Sequence, residues 1–200
     1  MINELCQVME RCYERGWITT RDGNASFRRR GSKFLHITPS GVRKNVLRVE
    51  DIIKMRVQDG ELIVPAGAKP SGELCMHWNI QKAGNKTQSV LHVHPTHVIA
   101  AMYAGWDLQQ LAQQFPELGR YTKVGPTVPV LPVTSEVLGD ATWNNIQGYD
   151  IVGQDRHGVC SIAGDPWSAY EHVERLDHIC EIVLASGINP TNELRSQYGK

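Results

Sequence analysis

The stretch from Pro70 to Thr96 constrains this chain more than any other. It opens with Pro70-Ser71-Gly72-Glu73, continues with helical spacing, and closes on Ser89-Val90-Leu91-His92-Val93-His94-Pro95-Thr96. The closing run reads as a β-strand, rich in Val and Leu and bounded by a proline. Side chains two apart on a strand leave the same face, so His92 and His94 stand side by side, about 7 Å apart along the backbone. Pro95 biases His94 away from helical dihedrals and ends the strand. Two imidazoles at a strand end are the beginning of a metal site. Glu73, at the head of the preceding helix, supplies a carboxylate that could meet the metal.

The length of 200 residues suits one domain with a full hydrophobic core, with a polar tail at 188–200 that frays. The 21 basic and 21 acidic residues cancel, which argues against nucleic acid or a membrane surface as partner. Met1-Ile2-Asn3-Glu4 lacks the pattern of a signal peptide, and no apolar run is long enough to span a bilayer, so the expected location is cytoplasmic. Five scattered cysteines without a CxxC fit reduced thiols in that compartment. Cys75 and Cys160 lie near the histidines in sequence and are either reactive or, as free cysteines more often are, buried and inert.

Residues 2–16 place Leu5, Val8, Met9 and Cys12 on one helical stripe, with Asn3 as N-cap and Gly16 as stop. A strand near Ser26–Arg28 leads to a hairpin tip at Arg28–Lys33. Its arginines read as an anion patch or, as clustered charges usually do, a solvated turn. Phe34–Ile37 resumes a strand, and Thr38-Pro39-Ser40-Gly41 forms a tight turn. Ile52–Val57, Asp59-Gly60 and Leu62–Val64 read as a hairpin. A helix runs from Ser71 to a C-cap at Gly84, and Gln88–His92 is the strand bearing the histidines. Helices follow over Thr96–Ala104 and from Asp107 to Gln114, where Pro116 ends the run. Residues 120–134 read as loop with a short strand at Val128–Leu131. Ser135 opens a helix to about Ile146. Asp150–Val152 and Gly158–Ile162 are strands, and a long helix runs from Trp167 to Ala185 behind Asp165-Pro166. Together they predict an α/β fold with a central, mainly antiparallel sheet covered by helices.

His157, between the last two strands, makes a third imidazole available. Three neutral imidazoles keep a metal electrophilic and leave a position open for substrate. Spacing alone does not choose the third ligand among the six histidines other than His92 and His94. His77 reads as structural or as a support for a residue at the metal. His36 precedes the turn at Thr38 and is a possible neighbour of a bound phosphate. His97, His172 and His178 read as surface or packing residues.

Gly23-Asn24-Ala25-Ser26, Thr38-Pro39-Ser40-Gly41, Pro70-Ser71-Gly72-Glu73 with His77, His92-Val93-His94-Pro95 and Arg156-His157-Gly158 occur in one order along the chain. In that order and spacing the sequence resembles the class II aldolase/adducin family, over roughly residues 5–185. The resemblance implies a three-layer α/β/α sandwich, zinc on His92, His94 and His157, and a C4 homotetramer with active sites at subunit interfaces. It implies Glu73 as acid/base, and a substrate phosphate at Gly23, Asn24, Ser40, Gly41, Ser71 and Gly72. The implied reaction is cleavage of a small phosphorylated ketose, of the L-fuculose 1-phosphate type, to dihydroxyacetone phosphate and an aldehyde. Sugar-phosphate 4-epimerase, methylthioribulose-1-phosphate dehydratase and sugar-acid-phosphate decarboxylase use the same site, and a non-catalytic scaffold is a further branch.

The chemistry suits these residues. Cleavage leaves negative charge on the ketone-bearing fragment, which a divalent cation stabilises, and a neighbouring carboxylate moves the proton. Other divalent metals also suit three histidines. Gly-containing turns and a helix start can hold a phosphate. The chain departs from the family pattern in three places. Gly72 stands where a second hydroxyl residue often follows the serine. Arg156 precedes the third histidine, where Asn or His is usual, and near a metal it would either repel it or bind an anionic substrate such as a carboxylate. The proton-donating tyrosine of a neighbouring subunit has Tyr121 as first candidate, ahead of Tyr103.

Overall fold

The computed structural model describes residues 1–83 and 88–188. The expected C-cap at Gly84 and most of the expected polar tail lie outside the described residues. Seven strands form one sheet: β1 (Asn24–Arg28), β2 (Phe34–Ile37), β3 (Ile53–Gln58), β4 (Glu61–Ile63), β5 (Gln88–Val93), β6 (Ile151–Gln154) and β7 (Gly158–Ala163). Their order is β4-β3-β2-β1-β5-β7-β6, and every paired neighbour is antiparallel. Among the described residues seven α-helices accompany them: α1 (Ile2–Glu14), α2 (Leu74–Ala83), α3 (Thr96–Tyr103), α4 (Leu108–Gln114), α5 (Pro116–Tyr121), α6 (Glu136–Ile146) and α7 (Pro166–Ala185).

Strand alternation divides the sheet into two unlike faces. On β1, Ala25 and Phe27 join a core with Leu5, Val8 and Met9 of α1, Val98 of α3, and Val173 and Leu176 of α7. On β5, Leu91 and Val93 face the same core. Val90, Val152 and Cys160 face the other way, onto Met76 and Ile80 of α2 and Leu138 and Ile146 of α6. Helices on both faces of an antiparallel sheet make the expected three-layer sandwich. β5 lies between β1 and β7, so His92 is flanked laterally by Asn24 and Cys160.

Local chemistry sets the element ends. Asp165 accepts the Ser168 N–H at 2.8 Å, and Pro166 begins α7. Ser135 accepts the Leu138 N–H and opens α6. Asp59 and Gly60, both at positive φ, close the β3–β4 hairpin as its twist demands.

Four expectations change. α1 is capped at Met1, and Asn3 lies inside it. α2 begins at Leu74 rather than Ser71, because Ser71 and Gly72 serve the turn before it. Pro116 does end one helix, but it also occupies the first turn of another, α5, where its fixed φ and missing N–H carry no penalty. Val128–Leu131 forms no strand. Val124 and Val128 make isolated parallel bridges to β6, and Pro126, Pro129 and Pro132 remove the donors a longer ladder needs. This segment nonetheless covers the outer edge of β6.

Leu176 is fully buried between α7 and the sheet. Leu176→Ala should lower the unfolding free energy by about 2–5 kcal/mol, measured by urea denaturation. The site on the opposite face should keep its metal stoichiometry.

Candidate metal centre

The β6–β7 hairpin delivers His157. Gln154 pairs with Gly158, and Arg156 turns the connection at φ 57°. Gly158 is required there, because a Cβ would lie 2.4 Å from the Val93 carbonyl oxygen and 2.8 Å from Cδ2 of His94. Gly23 is required on the other side, at φ 69°, where a Cβ would lie 2.5 Å from Ile18 Cγ2. These close approaches bring β1, β5 and the hairpin together at one end of the sheet.

His92, His94 and His157 converge there. Their ring centroids are 4.7–5.1 Å apart, and one nitrogen from each lies within 4.8 Å of the others. His92 donates Nδ1–H to the Val159 carbonyl at 3.0 Å, which leaves Nε2 bare. That bare nitrogen is 3.0 Å from Nε2 of His94 and 3.1 Å from Oε2 of Glu73. Oε1 of Glu73 is 3.7 Å from Nε2 of His157 and has no hydrogen-bond partner. Burial, reinforced by the neighbouring imidazoles, holds the His92 pKa well below its ordinary value. Burial also lowers those of His94 and His157. Three imidazoles disfavoured from protonation, converging beside a carboxylate, form a donor set that fits a divalent cation.

A cleft of about 420 Å³ opens beside them. Ser40 N–H donates to the Lys69 carbonyl and Ser71 N–H to the Thr38 carbonyl, pinning the two turns together. Ser40, Gly41, Ser71, Gly72, Gly23 and Asn24 therefore share this cleft with Glu73 and the three histidines. Ser71 Oγ also accepts the Glu73 N–H at 3.2 Å. The Asn24 amide is engaged at both ends: Nδ2 donates to Glu73 Oε2 at 2.9 Å, and Oδ1 meets His77 Nε2.

Other residues of interest fall elsewhere. Tyr121 is outside the cleft, half-exposed, with the guanidinium groups of Arg120 and Arg175 over its ring. Tyr103 is exposed on α3, and Arg156 turns onto its ring at 5.5 Å, outside the cleft lining. His36 sits within β2 and does not line the cleft. Cys160 is fully buried and its thiol pKa is raised by that burial. Cys75 is partly exposed.

Sequence reasoning missed Lys44 and Thr134, both of which line the cleft. Lys44 is 2 % exposed, and its ammonium donates to the Arg21, Pro39 and Val42 carbonyls, fastening the Pro39–Val42 turn to the loop at Arg21. Thr134 fills the space left by Gly72, where a Cβ would approach Thr134 Cγ2 at 3.2 Å. Its φ of 57° is rare for a β-branched residue. No local pattern announces either contact.

The family model for the Class II Aldolase and Adducin N-terminal domain matches residues 3–184. The chain belongs to the class II aldolase and adducin family. Methylthioribulose-1-phosphate dehydratase of Sorangium cellulosum (strain So ce56) is 27 % identical over 199 residues, covering 92 % of this chain and 91 % of that one. L-fuculose phosphate aldolase of Methanococcus vannielii is 24 % identical over 181 residues, covering 90 % and 94 %. The crystal structure of a sugar-phosphate aldolase from Thermotoga maritima superposes with a TM-score of 0.77 at 26 % identity, covering 96 % of this chain and 97 % of that one. Like other class II aldolase family members, the chain carries a histidine cluster able to hold a metal.

Gly158→Ala should lose most bound metal while retaining the helical circular-dichroism signal, because the added methyl strikes His94. Elemental analysis checks it. The buried imidazoles also set a pH dependence. His77 is fully buried, and burial lowers its pKa from 6.5 to about 3. Between those values the unfolded chain binds a proton that the folded chain does not, so stability falls as pH is lowered through that range. The urea midpoint of metal-free protein should be lower at about pH 5 than at about pH 7.5, with a smaller difference in His77→Gln. An equal or higher midpoint at the lower pH would contradict neutral burial.

Proposed function

We propose that this chain is a metal-dependent lyase acting on a phosphorylated ketose, and that its reaction is loss of water from a methylthioribulose 1-phosphate-type substrate. The observation that carries this reading is Glu73, a buried carboxylate with one oxygen lacking a hydrogen-bond partner, set beside the three converging imidazoles of His92, His94 and His157. A divalent cation on His92, His94 and His157, with zinc the first expectation, would draw electron density from the ketone oxygen and acidify the adjacent carbon.

Glu73 Oε1 then takes the proton from C3, next to the C2 ketone. The C3–H electron pair forms the C3=C4 bond as the C4–O bond breaks. The proton held by Glu73 returns to the departing hydroxyl, so water leaves and the enol rearranges to a diketone. One carboxylate serves both steps, which suits a cleft whose one buried acid is Glu73 among the described residues. Ser40, Gly41, Ser71, Gly72 and Gly23 receive the phosphate through hydroxyl and backbone N–H donors, with Asn24 between them and the carboxylate. The similarity to the dehydratase supports this choice.

Aldol cleavage of the same substrate class is the second reading, favoured by the similarity to the fuculose phosphate aldolase and to the sugar-phosphate aldolase fold. It breaks C3–C4 and needs a further proton-handling group at the C4 oxygen. Tyr121, or Tyr103, of a neighbouring subunit in a homotetramer would supply it.

Incubation of metal-loaded protein with ketose 1-phosphates distinguishes the reactions. A product lighter by one water supports dehydration, and dihydroxyacetone phosphate with an aldehyde supports cleavage. Absence of bound metal after zinc is supplied would overturn both. Glu73→Gln should keep fold and metal and reduce turnover by about 10²–10⁴-fold.

A further inference from the structure

Behind Glu73 runs a file of buried polar side chains that the reaction above does not use. Asn24 and Ser26 project from β1, and His77 and Gln81 from α2. Ser26 and His77 are fully buried, Gln81 is 2 % exposed, and Asn24 and Glu73 are each 7 % exposed. Gln81 Nε2 donates to Ser26 Oγ at 3.1 Å and to the Gln88 carbonyl at 3.2 Å. Ser26 Oγ lies 2.8 Å from His77 Nδ1, His77 Nε2 meets Asn24 Oδ1, and Asn24 Nδ2 donates to Glu73 Oε2.

The chemistry of these groups allows one direction along the file. An ionised carboxylate only accepts, so Asn24 must offer it the amide nitrogen. The Asn24 oxygen then faces His77 Nε2, which must carry the hydrogen. Neutral His77 is therefore bare at Nδ1 and accepts the Ser26 hydroxyl hydrogen, while Ser26 oxygen accepts from Gln81. Reversing one member would set two acceptors or two donors against each other in a site closed to water, a costly arrangement.

We propose that His77 is a positioning residue for Glu73: its Nε2–H fixes the Asn24 amide, which ties down Oε2 and leaves Oε1 as the oxygen free to move protons. The Asn24 side chain then serves the carboxylate rather than the substrate phosphate. This inference rests on the reading of Glu73 as acid/base, but its structural half is testable without any substrate.

Long-range ¹H–¹⁵N correlation of ¹⁵N-labelled, zinc-loaded protein reads the tautomer, with His77 assigned by its absence from His77→Gln. The expected result is a neutral ring protonated at Nε2 and bare at Nδ1. Protonation at Nδ1, or an imidazolium, overturns the proposal whether or not the lyase reading survives. At matched zinc content, with methylthioribulose 1-phosphate or the ketose phosphate that the product screen returns, His77→Leu should lower kcat by about 10- to 100-fold. KM should stay within about twofold. His77→Gln, which can still donate to Asn24, should recover most of the loss. Wild-type kcat in His77→Leu, or a Gln variant no better than Leu, overturns the proposal. If His77→Leu does not fold, the zinc-loaded wild-type protein decides by itself: a His77 ring protonated at Nε2 and bare at Nδ1 supports the proposal, and Nδ1–H or an imidazolium overturns it.

Discussion

The hydrogen bond from His92 Nδ1 to the Val159 carbonyl organises this molecule's chemistry. It crosses from β5 to β7 in the interior of the sheet, so the backbone ladder that holds the fold also fixes the imidazole. With Nδ1–H committed, Nε2 has only its lone pair to present, and it presents it to His94 and Glu73. A neutral ring in that setting is stable because burial and the other imidazoles oppose its protonation. The metal-binding capacity follows from a main-chain acceptor belonging to a residue that never touches the site.

The two faces of the sheet do different work. Ala25 and Phe27 feed a dry core, while Asn24 and Ser26, their neighbours on the same strand, feed a buried polar file. Period-two alternation makes that division possible without a second structural element. The dry face supplies cohesion through α1, α3 and α7, and the polar face holds a carboxylate in a defined orientation. Lys44 has a similar supporting part at the cleft's other end, where three backbone carbonyls share one ammonium.

Family membership settles the architecture and leaves the reaction open, because the similar proteins include both a dehydratase and an aldolase. Two contacts shape the surroundings of the cleft. Gly72 gives up a side chain and Thr134 enters the vacated space. Arg156 lies outside the cleft lining; it leaves by a left-handed turn and rests on Tyr103.

The sequence by itself determined the His92–His94 pair and most of the scaffold around it. The His92–His94 alternation, the turn residues at Gly23 and Gly41, the capping of α7 by Asp165 and the Asp59-Gly60 hairpin are local, governed by periodicity and backbone chemistry within a few residues. The bounds it misplaced, at Asn3, Ser71 and Val128–Leu131, and the short helix it missed from Pro116, are places where a proline or a polar side chain fits two neighbouring roles and packing chooses. Tertiary structure alone decided which histidine joins the first two, which oxygen of Glu73 is free, and what Asn24, Lys44, Thr134 and Arg156 touch. Those outcomes depend on contacts between residues far apart in the chain, such as Asn24 with Glu73 and His92 with Val159, and on hydrogen-bond directions imposed once water is excluded.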